Sequence, residues 1–169
     1  MRVPAIAPPT SAFVALPTLN NFVRTDQDMT VFQIHPELLA SCHRLGSFNL
    51  CHVLLHRNAM LPWFILVPEC DVYDLLDLPE ALRNGAMKEA AIVSEFIKRH
   101  LAYPKVNFAA IGNVVPQLHL HVVGRKPGDP CWPVPVWGNL RETREYSSAE
   151  FRQIIDSLVR HAELTVAHQ

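Results

Sequence analysis

The stretch Gln117-Leu118-His119-Leu120-His121-Val122-Val123 alternates polar and apolar side chains. In a strand, alternate residues share a face. Gln117, His119 and His121 therefore project one way, and Leu118, Leu120 and Val122 project into a core. Same-face neighbours stand about 7 Å apart. A neutral imidazole is a nucleophile towards phosphorus and needs no activated hydroxyl. A second imidazole beside it can donate to phosphate oxygens or move a proton near neutral pH. Charge that builds on the non-bridging oxygens must be met by such donors. From the residues alone three readings stay open. His119 and His121 are polar side chains on a half-solvated strand, or two ligands of a metal ion, or a nucleophile and its phosphate donor. The metal reading requires a third ligand, for which His52, His56 and Cys131 are candidates that the sequence does not place.

The flanking elements must hold this row in position. Gly112-Asn113-Val114-Val115-Pro116 is a short break. It makes Lys105–Ile111 an antiparallel neighbour of Gln117–Val123. Upstream, Pro79 starts a long helix that runs to about Leu101. Leu82, Ala86, Ala90, Val93 and Ile97 form its buried stripe, and Gly85 weakens it by about 1 kcal/mol relative to Ala. Two β-prone runs, Asn49–His56 and Trp63–Val67, flank a turn at Arg57-Asn58-Ala59 and read as a hairpin. His35-Pro36-Glu37 opens a helix in which Leu38, Leu39, Cys42 and Leu45 recur at helical spacing, with Gly46 as its stop. Lys126–Asn139 is a Pro-rich connection carrying Trp132 and Trp137. Ser147 and Glu150 have the spacing of a capping box. They start a last helix with Phe151, Ile154, Ile155, Leu158 and Ala162 on its apolar face. Helix, two strands, long helix, two strands, helix is the order of an α+β domain with an antiparallel sheet.

The chain has 169 residues, of which 49% are hydrophobic and 18% charged. That is a globular balance with enough length for one core. Fifteen Lys and Arg stand against 16 Asp and Glu, for a net charge of -1. No basic excess draws the protein to nucleic acid or to an anionic membrane. No apolar run approaches the roughly 18 residues of a transmembrane helix. Pro4, Pro8, Pro9 and Pro17 break up the N-terminus, which lacks the apolar centre of a secretory signal. Residues 1–28 read as a flexible tail. Cysteines at 42, 51, 70 and 131 are widely spaced. They suit the reduced thiols of a cytoplasmic protein better than a disulfide framework.

With these elements in view, the chain resembles the histidine triad (HIT) family. That family carries His-φ-His-φ-His-φ-φ, with φ apolar, on a late strand; this sequence reads Gln117-φ-His119-φ-His121-φ-φ. Trp63-Phe64-Ile65-Leu66-Val67-Pro68 is similar to the family's strand ending in a Val-Pro or Ile-Pro step. Tyr73–Leu78 resembles the lead-in to the long helix, and Asn107–Ile111 with Asn113 resembles the strand and asparagine ahead of the triad. The likeness spans about residues 30–138. It divides the chain into a tail at 1–28, a HIT-like domain at 29–138 and a C-terminal helical extension at 139–169.

The resemblance implies cleavage at the α-phosphorus of a nucleotide derivative, either a dinucleoside polyphosphate or a phosphoramidate. His119 would be the nucleophile that forms a nucleotidyl-histidine, and His121 the residue that hydrogen-bonds the phosphate. A homodimer is implied, and no cofactor or metal. Gln117 departs from the pattern: an amide keeps a donor and an acceptor but cannot titrate. It would preserve an orienting hydrogen bond and lose any proton transfer. Trp63 also stands where relatives often have His. Asn113 suits a tight turn or a phosphate contact. Arg57 and Asn58 lie in the hairpin that approaches the ribose in relatives. Arg125 and Lys126 read as a solvated strand end, and Trp132 and Trp137 as packing residues. Asp71, Asp74 and Asp77 read as a solvated cluster. His43, His52, His56, His100, His161 and His168 receive no role. Two alternatives remain: a nucleotide-binding module without turnover, and a metal-dependent hydrolase using His119 and His121 as ligands.

Overall fold

The computed structural model describes residues 32–167; the tail expected over 1–28 and His168 lie outside them. Six strands form one antiparallel sheet in the order β4-β5-β3-β2-β1-β6. They are β1 (Cys42–Ser47), β2 (Cys51–His56), β3 (Trp63–Pro68), β4 (Lys105–Ala110), β5 (Leu120–Arg125) and β6 (Thr165–Val166). Helix α1 (Pro36–Ser41) precedes β1, α2 (Glu80–His100) links β3 to β4, and α3 (Ser148–Ala162) follows β5. This is the α+β architecture that the order of elements predicts.

One face of the sheet carries the main core. Val53, Leu55, Phe64, Leu66, Leu120 and Val122 alternate along β2, β3 and β5. They pack against Ala86, Ala90, Val93, Phe96 and Ile97 of α2 and against Ile154, Leu158 and Ala162 of α3. Burying each large apolar side chain contributes roughly 1.5–3 kcal/mol. Leu82, expected in the helix stripe, is 40% exposed. Its place is taken by Glu89 and Phe96. The Glu89 carboxylate is buried because it accepts the backbone N–H groups of Leu50 and Cys51, each at 2.9 Å. The opposite face holds a smaller cluster of Ile34, Leu38, Cys42, Leu54, Ile65, Val67 and Val115. The site lies on this second face.

Three boundaries differ from expectation for long-range reasons. The first helix stops at Ser41, and Cys42–Ser47 is a strand rather than a continuation to Gly46. Cys42 and Leu45 are buried in both arrangements, so helical spacing alone does not distinguish them. Pairing decides it: Cys42 faces His56, and Gly46 faces both Val53 and Val166. At Gly46 a Cβ would collide with the Thr165 carbonyl oxygen. The second difference is that β5 begins at Leu120 rather than Gln117, because the ladders to β3 and β4 both end at Leu120. Third, a short strand, β6, closes the far edge beside β1. The C-terminal helix begins as the sequence indicates. Ser147 accepts from the Glu150 N–H, and Glu150 accepts from the Ser147 N–H.

Candidate active site

Strand β5 and the residues just before it carry the site. Leu118, Leu120 and Val122 enter the main core, so His119 and His121 face the other side. Both imidazoles are largely buried, at 5% and 7% exposure. Their ring centroids stand 4.8 Å apart, edge to face at 82°. Each ring has one nitrogen committed to a partner of fixed polarity. His119 Nδ1 lies 2.6 Å from the Gln117 carbonyl oxygen. A carbonyl only accepts, so Nδ1 carries the proton, and neutral His119 keeps a lone pair on Nε2. His121 Nδ1 lies 3.0 Å from Trp63 Nε1. An indole N–H only donates, so Nδ1 of His121 is bare and its proton sits on Nε2.

The surroundings of His121 hold it neutral. Burial pushes its pKa down to about 4, helped by the electrostatic influence of the neighbouring His119 and His56 rings on a second imidazolium, against a backbone hydrogen bond at Ile111. An aromatic corner surrounds it. Trp63 stacks on His56, with centroids 4.7 Å apart at 17°. Trp137 meets the edges of Trp63 at 6.0 Å and His121 at 5.6 Å. Trp63 reaches His121 because Ile65 is the direct cross-strand partner of His121 and Trp63 is its same-face neighbour. His56 is fixed in turn, its Nδ1 accepting the Asn58 N–H at 3.1 Å. Burial also lowers the His56 pKa.

Gln117 uses its whole side chain on the segment before α1. Its Oε1 accepts the His35 N–H at 2.8 Å, and its Nε2 donates to the Gln33 carbonyl at 2.9 Å. The amide thus satisfies one backbone donor and one backbone acceptor of the 33–35 segment and ties it to the chain just before β5.

The profile of the family described as "HIT domain" matches residues 38–128. The chain belongs to the HIT family. A histidine triad protein of Marinobacter aquaeolei VT8 is 37% identical, with a TM-score of 0.73, over 79% of this chain and 98% of that one. One from Bradyrhizobium japonicum is 34% identical, with a TM-score of 0.73, over 77% and 97%. A third, from Sinorhizobium meliloti 1021, is 31% identical, with a TM-score of 0.74, over 79% and 99%. No curated protein matches. The antiparallel sheet with its helices is the HIT fold. HIT membership points to nucleotide binding and to hydrolase or transferase chemistry; HIT proteins are typically nucleotide hydrolases, and some are non-catalytic.

The other candidate residues of this HIT domain fall in different places. Asn113 is exposed on the loop between β4 and β5. Arg57 is exposed, with its Nε donating to the Ala40 carbonyl at 3.0 Å. The Asn58 amide is occupied: Oδ1 accepts from Met60 and Arg144 N–H groups, and Nδ2 donates to the Glu142 carbonyl. Arg57, Asn58 and His56 line one side of a cavity of about 370 Å³, and Arg144 and Glu145 line the other. A cavity of about 320 Å³ near His100, Tyr103 and Tyr146 touches neither His119 nor His121. Among the described residues no three His, Cys, Asp or Glu side chains are grouped to hold a metal ion.

Arg125 overturns its expected place at a solvated strand end. It is 1% exposed. Its Nε and Nη2 donate to the two Asp129 oxygens at 2.7 and 3.0 Å, and its other bonds go to Asn107 Oδ1 and the Val134 carbonyl. This clamp gathers the Pro-rich connection that carries Trp137. Spacing offered a signal for it, since Arg125 and Asp129 flank the turn Lys126-Pro127-Gly128. The Trp63 donor and the His56 stack had no local signal, because both depend on strand register.

Proposed function

We propose that this HIT protein is a nucleotidyl hydrolase or transferase that cleaves at the α-phosphorus of a dinucleoside polyphosphate or phosphoramidate-type nucleotide. The supporting observation is the hydrogen bond from His119 Nδ1 to the Gln117 carbonyl, which leaves the Nε2 lone pair for attack. In the first step the His119 Nε2–P bond forms and the bond from the α-phosphorus to the leaving group breaks. Water or another acceptor then attacks phosphorus and releases His119. With substrate bound, the His121 Nε2–H would exchange its Ile111 backbone partner for a non-bridging oxygen. Gln117 stands at the first triad position and holds the 33–35 segment and, through its carbonyl, the His119 ring. Asn113, exposed on the loop between β4 and β5, would contact the phosphate. Arg57 and Asn58 would approach the ribose; they line a cavity that shares His56 with the aromatic corner but includes neither His119 nor His121. A homodimer is part of the reading, and β4, the edge strand among the described residues, would give it a surface.

Turnover of a nucleotide panel by wild type and His119→Ala tests this. The panel holds a diadenosine polyphosphate, an adenosine phosphoramidate and a nucleotide sugar, each with and without chelator. Loss of turnover in the variant, with no effect of chelator, is the expected result. A chelator-sensitive rate would overturn the histidine mechanism. A second reading, a nucleotide-binding module, draws support from the pairing of a non-titrating Gln117 with a neutral His121. A folded wild type that binds AMP and turns over nothing would establish it.

A further inference from the structure

Nδ1 of His121 faces the only polar hydrogen that an indole possesses. An imidazole held this way has two restrictions. It cannot take a proton at Nδ1 without losing Trp63, and if it gave up its Nε2 proton it would be left as an imidazolate. His121 is therefore a fixed hydrogen-bond donor and not an acid. Trp63 cannot easily turn away, because the His56 ring is stacked on it and the Trp137 ring meets its edge. The groups facing His121 are His119 on its own strand, Trp63 on β3, His56 on β2, Trp137 on the Pro-rich connection and the backbone of Ile111. None of them is a carboxylate that would favour an imidazolium. The depressed pKa agrees with this geometry.

The consequence is a preference in the leaving group. When a phosphoanhydride is cleaved, the electron pair leaves on oxygen as a phosphate anion and needs no proton. When a phosphoramidate is cleaved, the pair leaves on nitrogen, and the amine departs only if an acid supplies a proton. Resting on the nucleophilic reading of His119, we propose that Trp63 is a positioning residue that locks His121 as a non-ionising Nε2–H donor, and that the site therefore prefers nucleotidyl phosphoanhydrides over nucleotidyl amines.

Two measurements test this, one of them independent of turnover. Nitrogen-15 NMR of the wild-type histidines should show His121 neutral at pH 6, with its proton on Nε2. A His121 protonated on Nδ1, or cationic at that pH, would overturn the lock whether or not the protein is an enzyme. Kinetics then compare diadenosine tetraphosphate with adenosine 5′-phosphoramidate. The expected kcat/KM favours the tetraphosphate by at least about tenfold, the value of one ordinary hydrogen bond. Trp63→Phe keeps a ring against His56 and removes the donor. It should mix the His121 tautomers, narrow the substrate ratio severalfold and move the falling limb of the phosphoramidate profile, where His121 loses its proton, to higher pH, since the neutral form loses a bond. A merely structural Trp63 would slow both substrates equally and leave the tautomer unchanged, and that result would refute the proposal. An equal or reversed substrate preference in wild type would refute the leaving-group claim alone.

Discussion

Replacing Arg125 with Met would leave the Asp129 carboxylate buried with no counter-charge. Two charge-assisted bonds to Asp129 would go, at 2.7 and 3.0 Å, together with the bonds to Asn107 and Val134. Asp129 would keep only the N–H groups of Lys126 and Cys131. Breaking a buried pair by removing one partner costs about 3–5 kcal/mol. Bonds to charged groups, at about 1.5–3 kcal/mol each, give a similar sum for the two lost from Asp129. Urea unfolding of wild type, Arg125→Met, Asp129→Leu and the double variant measures this. The double variant should be less destabilised than the sum of the singles by at least about 2 kcal/mol, because neither charge is then stranded. Acid unfolding supplies a second check. Burial alone would raise the Asp129 pKa, but the Arg125 hydrogen bond, the Lys126 and Cys131 N–H groups and the Arg125 charge outweigh it and hold it below the ordinary 3.8. A carboxyl depressed on folding contributes stability above its unfolded pKa and loses it as pH falls through the folded one. Wild type should therefore shed this contribution below about pH 4, and Arg125→Met should have little left to shed. If Arg125→Met unfolds within about 1 kcal/mol of wild type, the clamp has been misread.

Gln117→Leu should lose both bonds to the 33–35 segment, cost about 1–3 kcal/mol in urea unfolding and open that segment to limited proteolysis. The backbone carbonyl that orients His119 would remain, so turnover should fall less than in His119→Ala. Ser147→Ala should cost about 1 kcal/mol by removing the side-chain half of the capping box, read as a lower midpoint at unchanged m-value.

The parts of this protein set by local pattern were legible in its sequence. Alternation placed Leu118, Leu120 and Val122 in the core and set His119 and His121 on the other face. Ser147 and Glu150 announced α3 because a capping box is complete within four residues. The parts set by distant partners were not legible. Cys42 and Leu45 fit a helix as well as a strand until β2 and β6 are beside them. Arg125 looks like a solvated cation until Asp129, Asn107 and Val134 surround it. Trp63 looks like the loss of a polar residue, although its indole N–H is what His121 receives. Gln117 was readable as a donor and acceptor, and only the fold reveals that both are spent on Gln33 and His35.

The stitches that complete this domain join residues far apart in the chain. Gln117 meets His35 across 82 positions, Arg144 meets Asn58 across 86, and β6 reaches back to the edge of β1. A chain closed this way has little to gain from folding early. Loop-closure entropy must be met before such non-local contacts return any stability, which slows folding. On the ribosome, the β1 edge would wait unpaired until Thr165 and Val166 had emerged, exposing a bare strand edge of the kind that makes nascent chains prone to association. Thr165 and Val166 thus act as a timing element: the sheet is sealed at β1 only after α3 has been made.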